Sequence, residues 1–271
     1  MNGASREALA AARERFDALT DNTAVEATKL ADELAAVTAL LDREVSLRRG
    51  HPHPGQPGEA KAELAARVLG GQVGGETLDL ISGLVRSRWS GSRDLVDASE
   101  ELANAADLVA AERAGTLDDV EDELFRFGRI VSSSSELRGA LTDRRASVSA
   151  KAGLVGELLG GRAARVTERL VIRLVTHPRG RSLEAGLDEL SKLAAARRDR
   201  TVAVVTSAVP LSDRQKQRLG EALAKLYGRN VHLNLDVDPE VVGGIAVRIG
   251  DEVINGTIAD RLDEATRRMA G

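Results

Sequence analysis

The sequence predicts an α + α/β fold: a duplicated all-α helical bundle followed by a small C-terminal α/β domain with a mixed sheet. Three observations predict it. Apolar residues recur at helical spacing from Ser5 to about Arg198. The helical part aligns with itself at a shift of 90 residues. From about Thr201, strand-like alternation replaces the helical period. A chain of 271 residues has room for about two domains or more, and these textures divide it into residues 1–91, a first bundle copy, 92–199, a second copy, and 200–271, the α/β domain.

The helices are read from their stripes. Leu9, Ala12, Phe16 and Leu19 mark one, and Leu30, Leu34, Val37 and Leu41 the next. Val120, Leu124, Phe127 and Val131 mark a third, and Leu183, Leu187, Leu190 and Ala194 a fourth. Each stripe is backed by Arg, Glu and Asp, so these helices must bury one face against one another. Thr23 with Glu26 and Thr116 with Asp119 have capping-box spacing. Gly70-Gly71 and Gly160-Gly161 follow helices and are expected to cap them in left-handed geometry.

The repeat sets "DEL" at 32 against "DEL" at 122, and "AKAELAARVLGG" at 60 against "AKAGLVGELLGG" at 150. Without a gap, 16 of the 56 positions from 30 to 85 are identical to their counterparts, and several mismatches exchange one apolar residue for another. Two copies of one bundle unit are the simplest account, with the divide near Trp89 to Ser92. "GHPHPGQPG" at 50–58 faces an ordinary stretch of the second copy and is read as a loop within a unit.

In the C-terminal part, "TVAVVTSA" reads as a buried strand. "LSDRQKQRLGEALAKLYG" reads as a helix, with Ser212 and Gln215 as its capping box, Leu219, Leu223 and Leu226 as its stripe, and Gly228 as its stop. "VHLNLDV" alternates, Val231, Leu233, Leu235 and Val237 on one face and His232, Asn234 and Asp236 on the other. Strand, helix, strand in this order favours a parallel pair with a right-handed crossover. A phosphate-binding glycine loop would open a helix; Gly243-Gly244 instead leads into the alternating "IAVRI". Gly250-Asp251 suits a two-residue hairpin turn, "EVI" returns as the partner strand, and a last helix starts near Thr257 with Ile258, Leu262, Ala265 and Met269 as its stripe. The glycines are therefore read as shaping strands.

Several function classes lose support at this level. A net charge of −4 gives no strong pull toward nucleic acid, and one Trp, one Tyr and three Phe offer few stacking platforms for single strands. Cysteine is absent. No signal segment and no apolar run of membrane-spanning length is read, so direct membrane insertion is not expected. No P-loop, GxGxxG, HExxH or GxSxG pattern occurs. Catalytic residues, metal ligands and cofactors are therefore all expected to be none. His51 and His53 are read as solvated in a Pro-rich loop, His177 as a helix-end residue and His232 as exposed. The carboxylates of "VEDELF" and "LDEL" and the basic "ARRDR", Arg144-Arg145 and Arg267-Arg268 are read as surface charge.

One long stretch does carry a resemblance. "VDPEVVGGIAVRIGDEVINGTI", residues 237–258, closely resembles the C-terminal signature of the delta subunit of F-type ATP synthases, the bacterial relatives of the mitochondrial oligomycin-sensitivity-conferring protein. Its signature positions here are Asp238, Pro239, Gly243, Gly244, Gly250, Asp251, Asn255 and Gly256, to which a structural role is assigned. "VTSAVPLSDRQKQRL" at 205–219 is similar to the segment upstream of that signature. Asn255 and Thr257 stand where the family more often has Asp and Ser, and the helical half is about one bundle longer than usual, which the duplication accounts for. The resemblance implies a non-catalytic peripheral-stalk, or stator, subunit that ties the catalytic head to the membrane-anchored b stalk and resists rotation. It implies alpha subunits of the head and the b subunit as partners, at the cytoplasmic face of the bacterial plasma membrane. A generic helical scaffold of another cytoplasmic complex shares every compositional argument; only the C-terminal signature separates the two.

Overall fold

A computed structural model describes residues 2–44, 58–199, 201–227, 231–238, 244–249 and 252–255. Eleven helices and four strands are found among them. In chain order the helices are α1 (Gly3–Thr20), α2 (Ala27–Arg43), α3 (Gly58–Leu69), α4 (Gly75–Arg86), α5 (Ser92–Arg113), α6 (Leu117–Ser133), α7 (Ser135–Thr142), α8 (Val148–Leu159), α9 (Arg165–Thr176) and α10 (Leu183–Arg198). Then come β1 (Thr201–Ser207), α11 (Asp213–Tyr227), β2 (Val231–Val237), β3 (Ile245–Ile249) and β4 (Glu252–Asn255). The chain forms two compact units, Met1–Arg197 and Arg198–Gly271. This is the α + α/β fold expected from the sequence.

The 90-residue period is kept to the residue. Helices α2, α3 and α4, shifted by 90, are the spans of α6, α8 and α9. The counterpart of α7 lies outside the described residues. Helix α5 has two counterparts. Shifting α1 forward by 90 gives 93–110, and shifting α10 back by 90 gives 93–108, both inside the span of α5. This one helix therefore closes the first copy and opens the second.

Its sequence explains how it serves both. Leu95, Val96, Ala98, Leu102, Ala103, Ala106 and Val109 of α5 belong to the first core, with Phe16, Leu30, Leu34, Val37, Leu80, Ile81 and Leu84. Leu108 and Ala111 belong to the second, with Val120, Leu124, Phe127, Val131, Leu170, Val171, Leu187 and Leu190. A helix apolar around most of its circumference must be enclosed on most sides, and α5 is.

Glycine at the ends of α3 and α8 is required twice over. A Cβ on Gly70 or Gly160 would collide with the carbonyl oxygen of Ala66 or Gly156. Gly71 and Gly161 have φ of 75° and 70°, the left-handed conformation that costs other residues about 1–2 kcal/mol.

Two capping boxes read in the sequence are not formed. Helix α2 is capped by Glu26 itself, whose carboxylate accepts from the amides of Thr28 and Lys29, so Thr23 lies too far upstream. Thr116 precedes α6, but its hydroxyl donates to the carbonyl of Ala111 at the end of α5. The short connection makes one residue face two helix ends, and the older end takes the hydroxyl. The box at α11 is present in part: the Gln215 side chain accepts from the Ser212 amide at 2.9 Å.

In the C-terminal unit the strand order is β2-β1-β3-β4. β1 and β2 run parallel from Thr201↔Val231 to Ser207↔Val237, with α11 between them in sequence. β3 is antiparallel to β1, pairing Val247 with Val205, and β4 is antiparallel to β3. Ala203, Val205, Leu223 and Val247 form the small core. Val231 and Leu233 of β2 pack on it, whereas Leu235 and Val237, expected on the same face, are exposed. Gly244 has φ of 88° just before β3, a left-handed conformation at the turn into the strand. Pro239, Gly243, Gly250, Asp251, Gly256 and the last helix expected from Thr257 lie outside the described residues, as do His51 and His53.

Candidate functional site

The first unit has three notable features, two of them built from charged side chains. The first is a cap supplied by another helix. Helices α4 and α9 are preceded by Gly74 and Ala164, which have no side-chain oxygen to satisfy the first free amides. Glu33 of α2 fills this role, its carboxylate accepting from the Gly74 amide at 2.9 Å and the Thr77 hydroxyl at 2.5 Å. Glu123 of α6 does the same for the Ala164 amide at 3.0 Å and the Thr167 hydroxyl at 2.5 Å. A carboxylate at a helix N-terminus also meets the positive end of the dipole. Glu123 belongs to "VEDELF", so the reading of that run as wholly solvated is corrected. The repeated "DEL" and the matched threonines at 77 and 167 were the signal.

The second feature is a brace between the two copies. Asp107 of α5, 1% exposed at its side chain, accepts from Arg169 Nε at 2.8 Å and Arg173 Nη2 at 2.7 Å, both on α9. Arg169 reaches on to Asp32 of α2 at 2.6 Å, and Arg173 donates to Asn104 at 2.6 Å. Glu100, one helical stretch back on α5, is paired with both Arg179 and Arg181 of the α9–α10 connection. Arg179, one of these arginines, has a left-handed backbone, with φ of 48°. Arg197 of "ARRDR" is half-buried and paired with Glu112 and Asp17 rather than displayed as free surface charge. Buried ion pairs contribute little net stability, but removing one partner strands the other charge. Such pairs fix geometry.

Among neighbouring carboxylates, burial pushes Asp97 above the usual range, against the attraction of Arg179 and Arg181. Asp79 is held below it, chiefly by its hydrogen bond from Arg15. His177 ends α9 with Nδ1 2.9 Å from the Thr176 hydroxyl. Among the described residues, no group of three His, Asp or Glu side chains is placed to hold a metal ion.

The third feature is a pair of clefts on corresponding faces. Between α2 and α9 lies a cavity of about 290 Å³, lined on α2 by Asp32, Ala35, Thr38, Ala39 and Asp42. Between α6 and α10 lies a groove of about 530 Å³, lined on α6 by Leu124, Phe125, Gly128, Arg129, Ser132 and Ser133 and on α10 by Glu184, Leu187, Asp188 and Ser191. Phe125 is 59% exposed and Ile130, nearby on α6, 53%. In the C-terminal unit, Val209, Leu235 and Val237 are exposed near the C-terminal ends of the two parallel strands.

The described part of the first unit is a helical scaffold braced by buried ion pairs, with clefts on the corresponding faces of its two copies. The family model for the ATP synthase delta (OSCP) subunit matches residues 99–269. An ATP synthase subunit delta of Streptomyces griseus subsp. griseus is 79% identical over the full length of both chains, and one of Thermobifida fusca is 48% identical, also over both full lengths. A chain in the cryo-EM structure of the Toxoplasma gondii mitochondrial ATP synthase hexamer matches 63% of this chain and 97% of its own at 20% identity, with a TM-score of 0.28, too loosely to inform residue positions. The chain belongs to the ATP synthase delta (OSCP) family. It is a delta-type subunit of the F-type ATP synthase, part of an enzyme complex, with the peripheral-stalk role its signature implied; the generic scaffold alternative falls away. Among the described residues, no helix is long and apolar enough to cross a membrane, which fits peripheral association with a membrane complex.

Proposed function

We propose that this protein is the non-catalytic joint of the stator: its bundles grip N-terminal helices of the head's alpha subunits, and its α/β unit meets the C-terminal end of the b subunit, at the cytoplasmic face of the plasma membrane. The chain is organised for this as residues 1–91, 92–199 and 200–271. The observation that carries the reading is α5. Its 22 residues, about 33 Å at the α-helical rise, take part in both bundle cores and are fixed by Glu100 and Asp107 to four arginines. A joint that resists torque needs continuous, close-packed elements that transmit load without yielding. The additional first copy stiffens this joint, because it surrounds α5 without adding reactive groups.

The test is reconstitution. Membranes stripped of the catalytic head and of this chain should recover proton-driven ATP synthesis only when both are returned. Recovery with the head alone would refute the connector role. Full coupling by a chain lacking residues 1–90 would refute the stiffening role of the first copy.

A further inference from the structure

Between α7 and α8 the chain runs over the surface through residues 143–147, Asp-Arg-Arg-Ala-Ser, and enters α8 at Val148. Arg144 and Arg145 are exposed and have no ion-pair partner among the described residues. The Asp143 carboxylate accepts from the Arg145 backbone amide at 2.8 Å. Ser147 is exposed as well, with an extended backbone of φ −66° and ψ 158°, and the apolar side chain of Val148 after it is 58% exposed. Two free guanidinium groups, one spacer, a reachable serine hydroxyl and an exposed apolar side chain form a pattern that an arginine-directed serine kinase reads. Acidic side chains of such a kinase take the arginines, and an apolar pocket takes the residue after the serine.

Ser132 and Ser182 also stand three residues after an arginine, Arg129 and Arg179. Neither offers the same pattern. Ser132 lies within α6, its hydroxyl donating to the Gly128 carbonyl at 2.9 Å. Arg179 and Arg181, ahead of Ser182, are paired with buried Glu100. In the first copy, Pro54, Gly55 and Pro57 stand 90 residues before Arg144, Arg145 and Ser147, so the repeat itself does not call for the pattern.

We propose that Ser147 is a phosphorylation site, the acceptor for a serine kinase directed by Arg144 and Arg145. The Ser147 hydroxyl oxygen attacks the γ-phosphorus of the nucleoside triphosphate held by the kinase. The Oγ–P bond forms as the bond from that phosphorus to the β,γ-bridging oxygen breaks. The hydroxyl proton passes to a base of the kinase, the nucleoside diphosphate leaves, and nothing is oxidised or reduced. Access costs little. Ser147 Oγ accepts from the Ala150 amide at 3.1 Å and shares a hydrogen bond with the Ser149 hydroxyl at 3.0 Å, and both residues are exposed, so only the first turn of α8 has to open. The product also fits where it forms. The phosphate adds a charge of about −1.5 to −2 at the start of a helix whose first turn holds no acidic side chain, where the positive end of the dipole favours it. Asp143, Arg144 and Arg145 give the connection a net charge of +1, and the modification reverses its sign.

Two measurements on the full chain test this. In the first, the purified chain is incubated with a nucleoside triphosphate and the catalytic subunit of an arginine-directed serine kinase. Phosphate should be incorporated at Ser147, lost in Ser147→Ala and kept in Ser147→Thr. Arg144→Ala and Arg145→Ala should each lower kcat/KM for phosphorylation by roughly tenfold or more. Both arginines are exposed, so these variants keep the fold and the result does not rest on the helix cap that Ser147→Ala removes. Undiminished incorporation in Ser147→Ala, or in both arginine variants, would overturn the site. In the second, the chain is isolated from its own cells through growth, with phosphatases inhibited, and cut with trypsin, which cleaves after Arg145 and Lys151. The peptide 146–151 should carry a phosphoryl group on Ser147. Its absence at every stage of growth, or a phosphoryl group on Ser149 alone, would overturn the proposal.

Discussion

The described helices of the two bundle copies keep one register, α2, α3 and α4 against α6, α8 and α9, yet the copies treat one helix pair in different ways. In the first copy, α2 packs along α5 through small residues, Ala31, Ala98, Ala103 and Ala106, all fully buried, and the Thr38 and Ser99 hydroxyls bond at 2.7 Å inside the contact. In the second copy, the equivalents of Ala31, Ala35 and Thr38 are Glu121, Phe125 and Gly128, and a groove separates α6 from α10. What the copies share is what each unit needs to fold: the cap from Glu33 or Glu123, the left-handed Gly71 or Gly161, and the buried stripes. What they have lost in common is the outer face. A repeat can diverge freely where its neighbours differ, because only the inner contacts are imposed by the unit itself.

The largest break in this picture should come from the shared helix. Glu100→Ala leaves Arg179 and Arg181 without their buried carboxylate, and should cost about 3–5 kcal/mol, read as a lowered urea midpoint. Because α5 belongs to both cores, one common transition should shift. Two separate transitions, one of them unmoved, would show that the copies fold independently. A smaller effect sharpens the symmetry. Glu33→Ala and Glu123→Ala each leave a helix-start amide and a threonine hydroxyl unpaired, and each should cost about 1–3 kcal/mol. Losses differing by more than about twofold would mean that the equivalent caps do unequal work.

The smallest effect concerns the seam's titration. Asp97 has a raised value in the folded chain, so the folded state holds its proton more tightly than the unfolded state does. Its contribution to stability is therefore present at low pH and falls as pH rises from the ordinary carboxylate range through the raised value. Asp97→Asn should remove that fall and leave the protein at least as stable as wild type at neutral pH. A variant less stable at neutral pH would show that attraction to Arg179 and Arg181 outweighs burial. Asp79, with a depressed value, has the opposite sign: its stability is present above the ordinary range and is lost in acid.

Much of this was legible in the residues. The stripes Leu30, Leu34, Val37, Leu41 and Val120, Leu124, Phe127, Val131 are all buried, because a 3.6-residue period has one geometric solution. The parallel β1–β2 pair and the β3–β4 hairpin followed from alternation and turn residues. Thr23 and Thr116 misled because a hydroxyl near a helix start has several acceptors and donors in reach, and spacing does not rank them. Arg197 was read as surface charge, and Glu33, Glu100 and Asp107 drew no reading at all, for a related reason: their partners are 41 to 180 residues away in sequence.

By itself, then, the order of residues determined the helical period, the duplication, the strands and the family, since each is written in short-range spacing or in one contiguous signature. Only the tertiary structure decided that α5 serves two cores, that glutamates cap helices they do not belong to, and that the two corresponding repeat faces line clefts with different opposite walls. Those depend on which distant side chains meet in space, and burial and charge pairing are set by that meeting rather than by neighbours along the chain.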